Sequence, residues 1–330
     1  NLIYMMRNFL FLGLLLVFVV SCGDNKSSNK KMLLDSSGSI NNVSVVIENE
    51  LWEGSIGDAI RNVLAAPIYG LPQDEPTFTI SQIPPTVFSG FVTKNRTVLK
   101  IEIGKTAGID ISSNVYAQPQ KVIVVSGKSR EEIINGINDN ASKITETFRN
   151  EEITERQRQM SKSPHNYKSI REKLGLTIQF ASAYRIAKEV DNFFWIRKDI
   201  TTGTTNLIIY ELPLDALKRS DSVVNQIIKI RDSIGKTFIE GGVEGSYMVT
   251  ENAYAPFHGE TILDNKATLL TKGIWDLKNG FMGGPFINYA IEDKINKRWV
   301  IIEGFAFAPS VEKRDYMLEL EAIIKSVKID

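Results

Sequence analysis

The sequence predicts an α+β protein with two domains, each a mainly antiparallel sheet covered by helices. Its 330 residues exceed the size of one ordinary domain and suit two. Short runs of branched and aromatic residues alternate with apolar stripes spaced every three to four residues, the marks of strands and amphipathic helices. A polar stretch ending at Pro164 separates two such series. Each series finishes as strand then helix, which points to two related units.

Taken in order, VSVVIE at Val43–Glu48 suits a strand through its branched residues. Trp52, Ile56, Ile60 and Val63 mark one face of a helix ending before Pro67, with Gly54 and Gly57 weakening it. GLPQDEPTFTISQIPP, at 70–85, is dense in proline and reads as extended or turning. Strands follow at Thr97–Ile103 and Lys121–Ser126. Ser129 and Glu132 have the spacing of a capping box, and Ile133, Ile137, Ala141, Ile144 and Phe148 continue one long helix with a polar extension to Pro164.

In the second series, hairpin-like pieces lie around Tyr184–Lys188 and Phe193–Arg197, with a strand at Asn206–Tyr210. Val223, Ile227, Ile230 and Ile234 mark a helix. Strands are expected at Thr261–Leu263, Thr268–Trp275, Phe286–Ile291 and Trp299–Phe307. Met317, Leu320, Ile324 and Val327 face inward from a closing helix. The domains are accordingly residues 43–163 and 164–330.

What precedes them is of another kind. FLFLGLLLVFVV, at 9–20, is an uncharged apolar run behind Arg7. It is too short to span a bilayer, which takes roughly 20 apolar residues, and has the length of a signal peptide. The run ends in Val19-Val20-Ser21-Cys22, which resembles the bacterial lipobox, and Cys22 is the chain's one cysteine. The resemblance implies a diacylglyceryl group on the Cys22 thiol and cleavage before it, so residues 1–21 are read as a lipoprotein signal peptide. Several acyl chains at one residue give firm anchoring. With that sulfur consumed, no thiol remains for nucleophilic catalysis, zinc ligation or disulfides. Residues 22–42, rich in Ser, Asn, Lys and Gly, read as a flexible tether. Only one acidic residue, Asp24, follows the cysteine closely, which favours an outer-membrane anchor facing the periplasm.

Lys plus Arg and Asp plus Glu number 39 each, so no net field draws the chain to nucleic acid. VSGKS at Val125–Ser129 lies between strand and helix as a phosphate loop would, but Val122 stands where GxxxxGK[ST] needs glycine. Ser129 is read as a helix cap instead. His165 falls in a linker and His258 in a loop, with no ligand or catalytic spacing around either. No GxSxG elbow is present. No cofactor and no metal are expected. Asp74, Glu75, Glu292, Asp293 and Glu303 are the carboxylates that a glycoside hydrolase could use. Glu303 sits in an apolar run that suggests a central strand, where a carboxylate needs either an ion-pair partner or a pocket.

The most unusual stretch is GFMGGPF at Gly280–Phe286. Adjacent glycines before a proline permit close backbone approaches, and Phe281, Met282 and Phe286 offer adaptable apolar contacts. As a tight strand connection the stretch needs no function. Its alternative is an interaction surface of Trp275, Phe281, Met282, Gly283, Gly284, Pro285 and Phe286. Trp52, Trp195 and Trp299 read as core or core-edge residues.

GLPQDEPTFTISQIPP, QPQKVIVVSG at 118–127, NFFWIRK at 192–198 and GIWDLKNGFMGGPFINY at 273–289 resemble an uncharacterised lipoprotein family of Bacteroidetes, domain of unknown function 4837. That resemblance implies an envelope lipoprotein and carries no catalytic residues. The last 33 residues, from Arg298, are similar in layout to the ends of PsbP and Mog1-like domains, where a strand leads into a helix covering a sheet. That likeness concerns the fold alone. The expectation is a lipid-anchored envelope protein acting as a non-catalytic binding or assembly module, with the membrane and an envelope protein as partners. The alternative is an envelope hydrolase using carboxylates on glycan or peptidoglycan.

Overall fold

In the computed structural model, residues 33–165 and 168–330 are described. The apolar run at 9–20, Cys22 and the start of the tether lie outside them. In the first domain, β1 (Asn42–Val46), α1 (Ser55–Leu64), β2 (Thr79–Ile83), β3 (Thr97–Ile103), β4 (Gly108–Ser113) and β5 (Lys121–Gly127) are followed by α2 (Arg130–Asp139) and α3 (Ala141–Met160). The sheet order is β2-β1-β3-β5-β4.

Strand direction here corrects the sequence reading. β2, β1, β3 and β5 run parallel, and only β4 is antiparallel to its neighbour. The cause is α1, which carries the chain from β1 back to the start of the sheet so that β2 enters in the same direction. Val43, Val45, Leu99, Ile101, Ile123 and Val125 then pack against Ile56 and Ile60 of α1 and Ile133 and Ile137 of α2. The second sheet has a different topology, so the shared strand-then-helix ending does not extend to a shared fold.

Other boundaries shift for local reasons. Gly54 caps α1 and separates it from a turn at Asn49–Trp52. Asn140, at φ −110° and ψ 15°, breaks the long helix into α2 and α3. Ser129 caps α2 as expected: its hydroxyl accepts the Glu132 N–H at 3.2 Å, and the Glu132 carboxylate accepts the Lys128 N–H at 2.7 Å. The ordered fold also begins before Val43. Ser37 exchanges backbone hydrogen bonds with Lys94 and Arg96, and the buried Asn41 donates its N–H to Glu152 Oε2 at 3.0 Å. The end of the tether is therefore part of the domain, held by polar contacts that its composition conceals.

In the second domain, α4 (Lys168–Leu174) precedes β6 (Arg185–Val190), β7 (Phe193–Ile200), β8 (Gly203–Pro213), α5 (Val223–Phe238), β9 (Tyr247–Thr250), β10 (Phe257–Leu263), β11 (Lys266–Lys278), β12 (Gly283–Asp293), β13 (Arg298–Phe307) and α6 (Arg314–Ile324). All pairings in this sheet are antiparallel, in the order β9-β11-β12-β13-β8-β7-β6, with β10 also on β11. Alternation along the strands supplies two cores. One face, with Ile208, Tyr210, Trp275, Ile301 and Phe305, packs on Val223 and Ile227 of α5. The other, with Leu207, Ile209, Tyr289 and Ile302, packs on Leu318, Leu320 and Ile324 of α6.

Ile153 and Met160 of α3 join that second core, so the helix that ends the first domain also covers the second. Residues 35–330 thus form one compact unit. Polar groups along α3 and α6 are buried in the seam. Glu152 accepts two bonds from the Arg96 guanidinium, at 3.0 and 2.9 Å, and both residues are buried. The Asn41 amide donates to Asp315 at 2.8 Å. Glu75 caps α6 from the other domain, accepting the backbone N–H groups of Lys313 and Arg314 at 2.7–2.9 Å. Among the described residues no helix is long and apolar enough to cross a membrane.

Candidate functional site

Beside the segment 239–242 that follows α5, a largely apolar pocket of about 260 Å³ opens on the sheet. Trp195 of β7, Trp275 of β11, Phe305 and Phe307 of β13 and Met282 of the β11–β12 turn form its walls, and Gly241–Gly242, after α5, supply its rim. The tryptophan N–H groups are spent within the fold. Trp195 Nε1 donates to Asn206 Oδ1 at 3.0 Å, and Trp275 Nε1 to the Ala306 carbonyl at 3.1 Å. The walls are therefore mainly apolar and offer no tryptophan donor, while Arg197, Thr204, Asn206 and Glu240 also line the pocket and supply its polar groups. Trp275 and Phe305 stand edge to face, with centroids 5.6 Å apart.

The structure divides the seven residues read as a surface. Phe281, at the tip of the turn, is fully exposed, and Met282 lines the pocket. Trp275 is buried but shows one face to the pocket. Phe286, expected on the surface, is instead a core residue, with the Arg231 guanidinium 3.9 Å above its ring. Gly284 and Pro285 are buried in β12, and Gly283 is exposed where the strand begins. Phe286 is inside because β12 is an inner strand between β11 and β13 with a core on each face, so its side chains are buried from Gly284 onward whichever way they point. Trp195, Phe305 and Phe307 complete the pocket and were not read as part of it. Their aromatic character was visible, but strands distant in sequence meet there only through the sheet order.

The paired glycines have a packing cause. A Cβ at Gly284 would lie 2.0 Å from the Ala306 carbonyl oxygen and 3.2 Å from Trp275 Nε1. Gly284→Ala is expected to cost about 1–3 kcal/mol, the usual penalty of overpacking, and to displace the Trp275 wall. Urea unfolding together with the native-state tryptophan emission maximum measures both effects.

The carboxylates are engaged elsewhere. Glu303 does lie on a central strand, wholly buried, and accepts two bonds from Arg231 Nε at 2.9 and 3.1 Å and one from the Asn288 amide at 2.9 Å. Glu75 is the helix cap described above. Burial works against ionisation of Asp293, but hydrogen bonds from Asn296 and Arg298 outweigh it and hold its pKa below the usual carboxylate range. Glu292 pairs with Arg219 at 3.2 Å, and Asp74 is exposed. These placements give no pair of free carboxylates facing a common cleft.

His258 lies on β10 rather than in a loop. Its Nδ1 is 3.1 Å from Thr271 Oγ1, and burial lowers its pKa. His165 stacks on Phe180. Among the described residues no cluster of three His, Cys, Asp or Glu is placed to hold a metal ion. A larger hollow of about 690 Å³ lies beside Arg298, but its charges neutralise one another: Arg298 bonds Glu211 at 2.7 Å and Asp293 at 3.0 Å, and Asn192 donates to Glu211 at 2.6 Å. The smaller aromatic pocket has fewer internal polar bonds to break, and is the better candidate for recognition.

A pair of α+β domains, the second carrying a largely apolar pocket, is the class of protein that the fold defines. Residues 163–326 match the family model described as Domain of unknown function (DUF4837), and residues 36–161 match Domain of unknown function (DUF8532). The stretches at 70–85 and 118–127, read above as resembling the former, thus lie in the latter. Among solved structures, the cyanobacterial PsbP (CyanoP) from Synechocystis sp. PCC 6803 is similar at 10% identity and a TM-score of 0.33, covering 51% of this chain and 93% of that one. The human StarD13 (DLC2) lipid transfer and protein localization domain is similar at 10% identity and a TM-score of 0.21, covering 43% of this chain and 88% of that one. No curated protein matches the chain.

Proposed function

We propose that the protein is a lipid-anchored component of a bacterial cell envelope, of the Bacteroidetes type its sequence resembles, that acts as a non-catalytic binding or assembly module. Acyl chains on Cys22 hold it to the outer membrane on the periplasmic side, and the aromatic pocket receives an apolar side chain of an envelope protein. The observation that carries the binding role is the pairing of this pocket with Phe281. A fully exposed aromatic ring beside an apolar hollow has the anatomy of an interaction hot spot, in which a few aromatic anchors dominate binding. The lipobox at Val19–Cys22 supports the anchor.

In-cell photo-cross-linking from a reactive residue at position 281 tests the proposal, beside a Cys22→Ala control. One stoichiometric partner is expected with the anchored chain and none with the control. Met282→Asp in the same background should weaken capture at least tenfold, with the unfolding midpoint changed little. Undiminished capture by Met282→Asp overturns the pocket assignment. Absence of any partner with the anchored chain overturns the assembly role.

A further inference from the structure

Away from that pocket, the loop between α1 and β2 meets the crossover between β9 and β10, and a second hollow of about 270 Å³ lies between them against Gly273 and Ile274 of β11. The loop is held in shape at its base and across the seam of the two domains. The Ile68 N–H donates to the Glu75 carbonyl and the Thr77 N–H to the Ala66 carbonyl, each at 2.9 Å. The Glu75 carboxylate is the cap of α6, and the Tyr69 hydroxyl donates to the Ala255 carbonyl at 2.5 Å. Tyr69 and Asp74, set between these anchors, need little ordering when a ligand arrives.

Three aromatic rings stand open to solvent here. Tyr69 is 56% exposed, Tyr254 55% and Phe257 42%; of the other exposed Phe, Tyr and Trp rings among the described residues, only Phe91 and Phe281 lie elsewhere. Tyr69 and Tyr254 line the hollow, and Phe257 adjoins Tyr69 with ring centroids 5.8 Å apart. The platform therefore combines rings from both domains.

The charges around it narrow what it can take. Asp74 is the one charged residue lining the hollow, and it is exposed, with no hydrogen bond or ion pair among the described residues. It repels an anion. Gly70 also borders a neighbouring hollow lined by Lys272, Arg149 and Glu321, and Lys325 stands near Lys272, so three cations and one acid lie against the same loop. That surplus offsets what a cation would gain from Asp74. A wholly apolar ligand would strip water from the carboxylate and replace it with nothing. A neutral ligand with a C–H face and hydroxyls at its edge meets every demand, because the face stacks on a tyrosine ring while a hydroxyl donates to Asp74.

We infer that this hollow is a saccharide-binding site, in which Tyr69 and Tyr254 carry the C–H face of a sugar ring and the Asp74 carboxylate accepts from its hydroxyls. Phe257 extends the platform beyond one ring, which favours an oligosaccharide over a single sugar. The site rests on none of the observations behind the Trp275 pocket, so either assignment can fail alone.

Isothermal titration of the protein with chitotetraose, cellotetraose and mannotetraose tests the inference. At least one of the three should bind with a Kd of about 1 mM or tighter. Tyr254→Ala, at an exposed residue with no hydrogen bond to lose, should weaken that binding at least tenfold with the Tm unchanged, whereas Tyr254→Phe, which keeps the ring, should retain it. Asp74→Ala should weaken it about fivefold. Failure of all three oligosaccharides to bind, undiminished binding by Tyr254→Ala, or saturable binding of tetramethylammonium at this site in place of a saccharide would each overturn the inference.

Discussion

Arg231→Met is expected to destabilise the protein by about 3–5 kcal/mol, the cost of leaving one member of a buried ion pair without its partner. Arg231 and Glu303 are each at most 1% exposed, between α5 and the centre of the sheet. Arg231 bonds Glu303 through Nε and donates to Thr250 Oγ1 at 2.9 Å, with its plane over Phe286. Removing it strands the Glu303 charge, with only the Asn288 amide left to bond it. The double replacement Arg231→Met, Glu303→Leu removes both charges and should recover most of the loss, because an apolar pair of similar volume is often no worse than a buried ion pair. Equilibrium urea unfolding of the single and double variants separates the two effects. A loss below about 1 kcal/mol for Arg231→Met would show that the pair is not the closed structural unit described here. The same pair explains why Glu303, the carboxylate that stands out most in the sequence, belongs to the core: no lone pair is turned toward an open cleft.

That case shows what could be read in advance and what could not. The apolar run around Glu303 announces a central strand, and elementary electrostatics demands a partner. Nothing local names Arg231, because it lies 72 residues away on a helix whose apolar stripe gives no reason to single out a buried arginine. Strands and helices with strong periodicity, such as Trp299–Phe307 and Val223–Ile234, were legible for the same reason that Glu303 was. The parallel direction of the first sheet was not, since β2 is embedded in a proline-dense stretch and direction depends on where α1 returns the chain. The polar extension of α3 misled in the opposite sense. Its Glu151, Glu152 and Glu155 belong to that polar extension, but all three are buried, Glu152 against Arg96 and Asn41 of the first domain. The pocket was half legible: Trp275 and Met282 lie in one conspicuous stretch, whereas Trp195, Phe305 and Phe307 reach it only through strand order.

The seam between the domains carries the second large effect. Glu321→Ala is expected to lower stability by about 1–3 kcal/mol at neutral pH, because Arg149, Lys272 and Lys325 lose the acid they share while each keeps some contact with water. Burial by itself would raise the pKa of Glu321, but the three cations and the hydrogen bond from Arg149 outweigh it and hold the carboxyl well below its ordinary 4.5. A carboxylate depressed in the folded state contributes stability that is complete above its unfolded value and is lost as pH falls below it. The native chain should therefore lose stability steeply between about pH 4.5 and pH 2, and Glu321→Ala should lose less over the same interval. Urea unfolding at a series of pH values gives both slopes. Parallel slopes would place the acid sensitivity in other carboxylates, such as Asp293, rather than in the seam.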